Sequence, residues 1–237
     1  MQETTRQQYL QAMDIQLWEN RLSLDIAGLD VCVEQNKDRD PLLKVDHDTE
    51  ELDWQSLQRK VESCVDCHLH ENRIYPVLGA GDLNARVMFI GEAPGADEDR
   101  LGEPFVGPAG QLLNEMLQAV GFKREQVYIA NTLKCRPPGD RTPESIEIEM
   151  CEKYLTRQIS LIQPDLIVAL GEVSAQWLLK SDDALREVRG RIFHEEKTGA
   201  PVIVTYHPAY LLKKPLEKCK SWDDLKLILS QIEKIKD

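Results

Sequence analysis

Four cysteines, Cys64, Cys67, Cys135 and Cys151, are spaced as C-x2-C, a long gap, then C-x15-C. In a chain whose thiols stay reduced, such a set reads as metal, cluster or redox chemistry rather than disulfides. Zinc accepts four thiolates, and so does an iron-sulfur cluster. The second pair is a strand-end cysteine and a helical cysteine separated by a Pro-Pro-Gly loop, unlike the paired knuckles of a zinc ribbon, and spacing alone leaves both groups open. Cys32 and Cys219 have no cysteine or histidine at ligand spacing and read as ordinary thiols.

A second set of residues has types suited to holding a nucleobase. Gly91-Glu92-Ala93-Pro94-Gly95 places glycines where a strand can turn sharply and let backbone approach a ligand. A plain structural turn accounts for the pentapeptide equally well. Asp97, Glu98 and Asp99 form an acidic cluster beside it, and Gly107-Pro108-Ala109-Gly110 opens a helix whose first amides can face an anion. Phe105 is either a core aromatic or a platform on which a base stacks. Asn131 can donate and accept at once, which matches the alternating edge of a pyrimidine, although a lone asparagine is more often a turn or cap residue. His207, before Pro208, can donate to an oxygen on which negative charge develops, or it can be structural. Leu211 and Leu212 are core residues or an apolar wedge entering where a nucleotide is displaced. Lys213 and Lys214 favour the wedge, which needs phosphate anchors beside it.

The frame that must position these residues is visible in the periodicity. Apolar runs over 86–90, 127–130, 166–170 and 202–205 alternate with helical patterns over 110–120, 143–162, 173–179 and 222–235. Such alternation predicts a mostly parallel sheet covered on both faces. Thr142-Pro143 and the acidic turn after it form a helix start signal. In an open parallel sheet the ligand crevice lies beyond the carboxyl ends of the strands, and Gly91, Asn131, Gly171 and His207 each fall at such an end.

The chain has 237 residues, enough for one large α/β domain with an appendage. We expect a domain over 54–237 and an acidic extension and linker over 1–53 that carries a short amphipathic helix within 3–20. The net charge is −12, of which −8 lies in residues 1–53. That balance argues against a coat of DNA-binding charge but leaves room for a basic rim on the main domain. No apolar run of membrane-spanning length and no signal-peptide pattern occurs, so a soluble, intracellular protein without a membrane partner is expected.

Taken in this order along the chain, the motifs resemble those of the family 4 uracil-DNA glycosylases, the iron-sulfur branch of the uracil-DNA glycosylase superfamily. The resemblance covers about residues 54–214 and rests on the cysteine spacing, Gly91 to Gly95, Gly102-Glu103-Pro104-Phe105-Val106-Gly107, Asn131 through Pro138, Leu170-Gly171 and His207 to Tyr210. It implies a three-layer α/β sandwich around a four-stranded parallel sheet. It also implies a [4Fe-4S] cluster on Cys64, Cys67, Cys135 and Cys151. Phe105 would stack on the uracil ring, Asn131 would bond its Watson-Crick edge, and Gly91 and Ala93 would line the site. His207 would donate to uracil O2, with Glu92 and Glu98 the carboxylates near the sugar and its water. By motif position Leu211 would be the wedge. The activity implied is that of a monomeric, monofunctional hydrolase of base excision repair, acting on uracil in DNA within the bacterial cytosol and nucleoid.

The chain departs from the patterns it resembles in two places. The branch with the best-known mechanism has an Asp two positions after the first motif's Gly, where this chain has Ala93, which leaves the general base open; Glu92 is the nearest substitute, or it positions uracil through backbone geometry instead. Another branch bonds covalently to DNA through a histidine in a basic loop, which Arg189-Gly190-Arg191-Ile192-Phe193-His194 matches only in part. His194 is expected in a strand or hairpin. Residues 11–18 resemble a short segment of a bacterial clamp-loader accessory subunit, implying a docking peptide for a replication or repair protein; a helix packed on the domain's own surface is the plainer reading. The competing functional reading is a cluster-bearing nucleic-acid-binding adaptor without catalysis.

Overall fold

A computed structural model describes Thr49 and residues 51–236. By its internal contacts the chain divides into two units, Met1–Lys44 and Val45–Asp237. The helix expected within 3–20 lies outside the described residues. In chain order the second unit contains α1 (Trp54–Glu62), β1 (Ala80–Gly81), β2 (Val87–Gly91), α2 (Ala96–Leu101), α3 (Pro108–Ala119) and β3 (Tyr128–Asn131). There follow α4 (Ser145–Ile162), β4 (Leu166–Leu170), α5 (Glu172–Leu179), α6 (Leu185–Val188), β5 (Ile192–His194), β6 (Pro201–Thr205), α7 (Pro208–Lys213) and α8 (Lys218–Lys236).

The six strands form one sheet in the order β1-β3-β2-β4-β6-β5. The inner four, β3, β2, β4 and β6, are parallel, as the apolar runs predict. Two short antiparallel strands, β1 and β5, extend the sheet at its edges. Because successive side chains in a strand point to opposite faces, Val87 and Phe89 of β2 pack into one core and Met88 and Ile90 into the other. The first core is closed by Leu113 and Leu117 of α3 and by Leu225 and Ile228 of α8. The second is closed by Leu155 and Ile159 of α4 and Leu178 of α5. All five residues of β2 and of β4 are buried, which explains why these strands read as unbroken apolar runs.

A third, smaller core forms a lobe at one side. Leu57 and Val61 of α1 meet Leu69, Leu133 and Tyr154 there, together with Cys135 and Cys151. Asp53 caps α1 by accepting the Ser56 amide at 2.8 Å, which fixes the start of the helix that carries the chain toward Cys64.

Candidate active site

The parallel strands end together. Gly91 at the end of β2 is the register partner of Asn131 at the end of β3. The chain then leaves β2 pinned to its neighbour: Thr132 donates to the Gly91 carbonyl through N at 2.9 Å and Oγ1 at 3.1 Å, and Leu133 N donates to the Glu92 carbonyl at 3.0 Å. A Cβ on residue 91 would lie 2.5 Å from Asn131 Oδ1 and 2.6 Å from Phe105 Cζ. The absence of a side chain at Gly91 therefore lets an amide and an aromatic ring converge beside the backbone.

Asn131 is 1% exposed, and its Oδ1 is the one buried side-chain polar atom without a hydrogen-bond partner among the described residues. An orphan acceptor of this kind costs about 1–3 kcal/mol and calls for an explanation such as a ligand donor.

Phe105 completes one wall. It is buried, adopts a left-handed backbone at φ 52°, and sets its ring 5.5 Å from the His207 ring. A non-glycine residue in that region stores about 1–3 kcal/mol, so its surroundings must hold it. They do so through Glu98, whose Oε1 accepts from Val106 N at 2.9 Å and Gly107 N at 3.0 Å while Oε2 accepts from Gly95 N at 3.1 Å. Arg124 donates to the Pro104 carbonyl, and Gly110 lets α3 approach so closely that a Cβ would stand 1.8 Å from the Phe105 carbonyl oxygen. The other two acids beside the first motif are also engaged: Asp99 accepts the Ile74 amide at 2.9 Å and Asp97 pairs with Arg100 at 2.9 Å. Glu98, expected near the reacting sugar, thus has both oxygens committed to backbone amides.

His207 is the N-cap of α7, and its Nδ1 accepts from Ala209 N at 3.2 Å. That contact fixes the tautomer: Nδ1 is bare and the proton sits on Nε2. Burial holds the imidazole down to about 4, against a smaller opposing pull from Glu98, so the ring is a neutral donor at physiological pH. Gly171, at φ +96°, donates its amide to the Thr205 carbonyl at 2.9 Å, and a Cβ there would stand 3.0 Å from His207 Cβ. Glu92 is partly buried, and burial first, then the charge of Glu172, raises its carboxyl above the ordinary value. Ala93 is partly buried against the cysteine lobe and joins the first motif to it.

Leu211 does not fit the wedge role expected of it. Its side chain is 1% exposed and belongs to the core under α3 and α8, whereas Leu212 is 44% exposed. Adjacent residues of a helix point about 100° apart, so the short α7 turns one leucine in and the next out. His194 lies in edge strand β5 opposite Pro201, as expected of a hairpin residue.

The four cysteines line one cavity together with Arg73 and Lys134. Arg73, which sequence reasoning missed, donates to Cys135 Sγ at 3.0 Å and to the carbonyls of Glu62 and Cys64, each at 3.0 Å. Burial pushes all four thiols up, Cys151 to about 12, so four thiolates are stable here only beside concentrated positive charge. Among the described residues no group of three or more His, Cys, Asp or Glu side chains is arranged to hold a single ion.

Residues 78–226 match the family model described as the uracil DNA glycosylase superfamily. A type-4 uracil-DNA glycosylase of Archaeoglobus fulgidus is 44% identical over 176 residues, covering 72% of this chain and 88% of the relative. Relatives with the same description from Pyrobaculum aerophilum and Thermotoga maritima are 42% and 41% identical, over 73% and 76% of this chain and 92% and 91% of their own lengths.

Proposed function

The chain belongs to the uracil DNA glycosylase superfamily, and from that premise we propose that it hydrolyses the N-glycosidic bond of uracil in DNA and leaves an abasic site, the first step of base excision repair. The observation that carries this reading is the buried, unpartnered Oδ1 of Asn131, facing Gly91 and Phe105. Uracil N3–H is a donor of the kind that oxygen lacks, and the amide nitrogen of the same side chain can donate to uracil O4. Cytosine has no N3–H and carries a donor at position 4, so the same amide discriminates against it.

A base inside a duplex is out of reach, so it is flipped out. The Phe105 ring supports it from one face. As the bond from C1′ to N1 stretches, negative charge grows on uracil O2 and positive charge on the sugar. His207 donates from Nε2 to O2, and a neutral imidazole does so without surrendering its proton. Glu92, the free carboxylate of the first motif, stabilises the cationic sugar and orients the water that adds to C1′. Glu98 holds the Phe105 loop. Leu212, exposed beside Lys213 and Lys214, is our choice for the wedge that fills the vacated stack.

Cys64, Cys67, Cys135 and Cys151 would hold a [4Fe-4S] cluster, whose contribution here is to crosslink three chain segments. We further place the catalytic domain at 54–237, acting as a monomer in the cytosol, with residues 1–53 as an extension that docks a replication or repair protein. No helix among the described residues is long and apolar enough to cross a membrane.

The test is incubation of anaerobically purified protein with an end-labelled uracil oligonucleotide, followed by alkali and a denaturing gel, beside Glu92→Gln, Asn131→Ala and His207→Ala. Strand cleavage by the parent protein and much weaker bands from the variants are expected. No cleavage by cluster-loaded protein on uracil, hypoxanthine or xanthine substrates would move the reading to a nucleic-acid-binding adaptor.

A further inference from the structure

Lys134 is 1% exposed, an unusual position for an ammonium group. Its Nζ donates to the main-chain carbonyl of Asn131 at 2.7 Å and to Gln158 Oε1 at 2.6 Å. Gln158 is itself saturated, donating from Nε2 to the Leu78 carbonyl at 2.8 Å and to Tyr128 Oη at 3.1 Å. The Lys134 backbone is gripped as well: its amide donates to Cys151 Sγ at 3.3 Å and its carbonyl accepts from Val77 N at 2.7 Å. Cys151 and Gln158 are two turns apart on one face of α4. One helix therefore holds the main chain of Lys134 through a cysteine and its side chain through an amide.

From this juxtaposition we infer that Lys134 is a positioning residue which transmits the geometry of the cysteine lobe to Asn131, and so sets the affinity of the site for the uracil base. The inference rests on the reading of Asn131 as the group that contacts uracil. Asn131 ends β3, and its side-chain direction follows from its own peptide, whose carbonyl is clamped by Lys134. A purely structural ammonium could be satisfied by any buried acceptors. This one spends a donor on the carbonyl of the residue whose own amide oxygen has been left unpaired. The arrangement is a fully connected buried network, in which loss of one member disturbs the rest.

The experiment compares the parent protein, Lys134→Met, Gln158→Met, Asn131→Ala and the double variant Lys134→Met/Asn131→Ala. Three quantities are read: inhibition by free uracil, affinity for abasic-site DNA, and retention of visible cluster absorbance. Lys134→Met should raise the uracil inhibition constant about tenfold, equivalent to about 1.4 kcal/mol, with abasic-site affinity and absorbance within about twofold of the parent. In the Asn131→Ala background the same change should add almost nothing, because the side chain it orients is gone. Should Lys134→Met fail to fold, Gln158→Met decides, with a smaller rise in the same constant expected and abasic-site affinity again unchanged. Equal losses in uracil and abasic-site affinity, additivity in the double variant, or an unchanged uracil constant would overturn the inference. A parent protein that neither cleaves uracil DNA nor responds to uracil would instead overturn the functional reading.

Discussion

The surroundings of His207 and Glu92 shift the two groups in opposite directions, which separates the roles proposed for them by pH. Burial lowers the imidazole from 6.5 to about 4, while burial and Glu172 raise the Glu92 carboxyl above 4.5. A base whose folded pKa is depressed stabilises the fold fully above its unfolded value, and that contribution is lost as pH falls from 6.5 through about 4. Catalysis has the other dependence. If the Glu92 anion stabilises the sugar cation, single-turnover rates should fall on the acid side with a midpoint above the ordinary 4.5. Glu92→Gln should remove that limb while lowering the rate about 10²-fold or more. His207→Gln should lower the rate about 10²–10³-fold and leave the limb in place. A limb that vanishes with His207 and survives in Glu92→Gln would reverse the two roles. Glu98 belongs to a different class despite its identical chemistry. Glu98→Gln turns an amide NH2 toward backbone donors and should cost about 1–3 kcal/mol in denaturant unfolding, with the Phe105 wall loosened as a result.

At the level of elements, the inner strands are legible in the sequence because both faces of β2 and β4 are buried, leaving no polar position to interrupt the run. The edge strands β1 and β5, two and three residues long, are too short to show a period. The short helices α2 and α7 are hidden for the same reason, with consequences for the site. Sequence places three acids beside the first motif. It cannot say that the partners of Glu98 are amides eight and nine residues onward, at Val106 and Gly107. Lys134 and Gln158 were harder still, since both are residues that ordinarily face water; the spacing of Gln158 from Cys151 on a helix was the available signal. The α7 leucines give the clearest test of such a correction. Leu211→Ala should cost about 2–5 kcal/mol by opening a core cavity, seen in thermal melting. Leu212→Ala should leave melting near that of the parent and slow excision from duplex DNA more than from single strands, where no stack needs filling. Equal slowing on both substrates would remove Leu212 as the wedge.

At the largest scale, the cysteine lobe and the sheet are expected to unfold as one unit. The cysteines proposed to hold the cluster come from the segment after α1, the loop after β3, and α4, and Arg73 ties two of these together through Cys135 and the carbonyls of Glu62 and Cys64. The lobe's apolar core is small, with Leu57, Val61, Leu69 and Leu133 as its fully buried aliphatics. Such a core gains little from area burial alone, so a crosslink among three segments should supply a large share of its stability. With the crosslink lost, Lys134 would remain as a buried cation, and Arg73 as a partly buried one, beside protonated thiols, which adds an electrostatic penalty to the lost restraint. Cys135→Ala should therefore lower stability by about 3 kcal/mol, or roughly 6–12 °C in Tm for a protein of this size. Melting followed both by circular dichroism and by visible absorbance checks this. In the parent the two signals should fall together, because the loop that carries Cys135 continues directly from the strand that carries Asn131. An apo protein with unchanged Tm, or a cluster signal lost far below the melting of the sheet, would mean that the lobe is an attachment rather than a part of the fold.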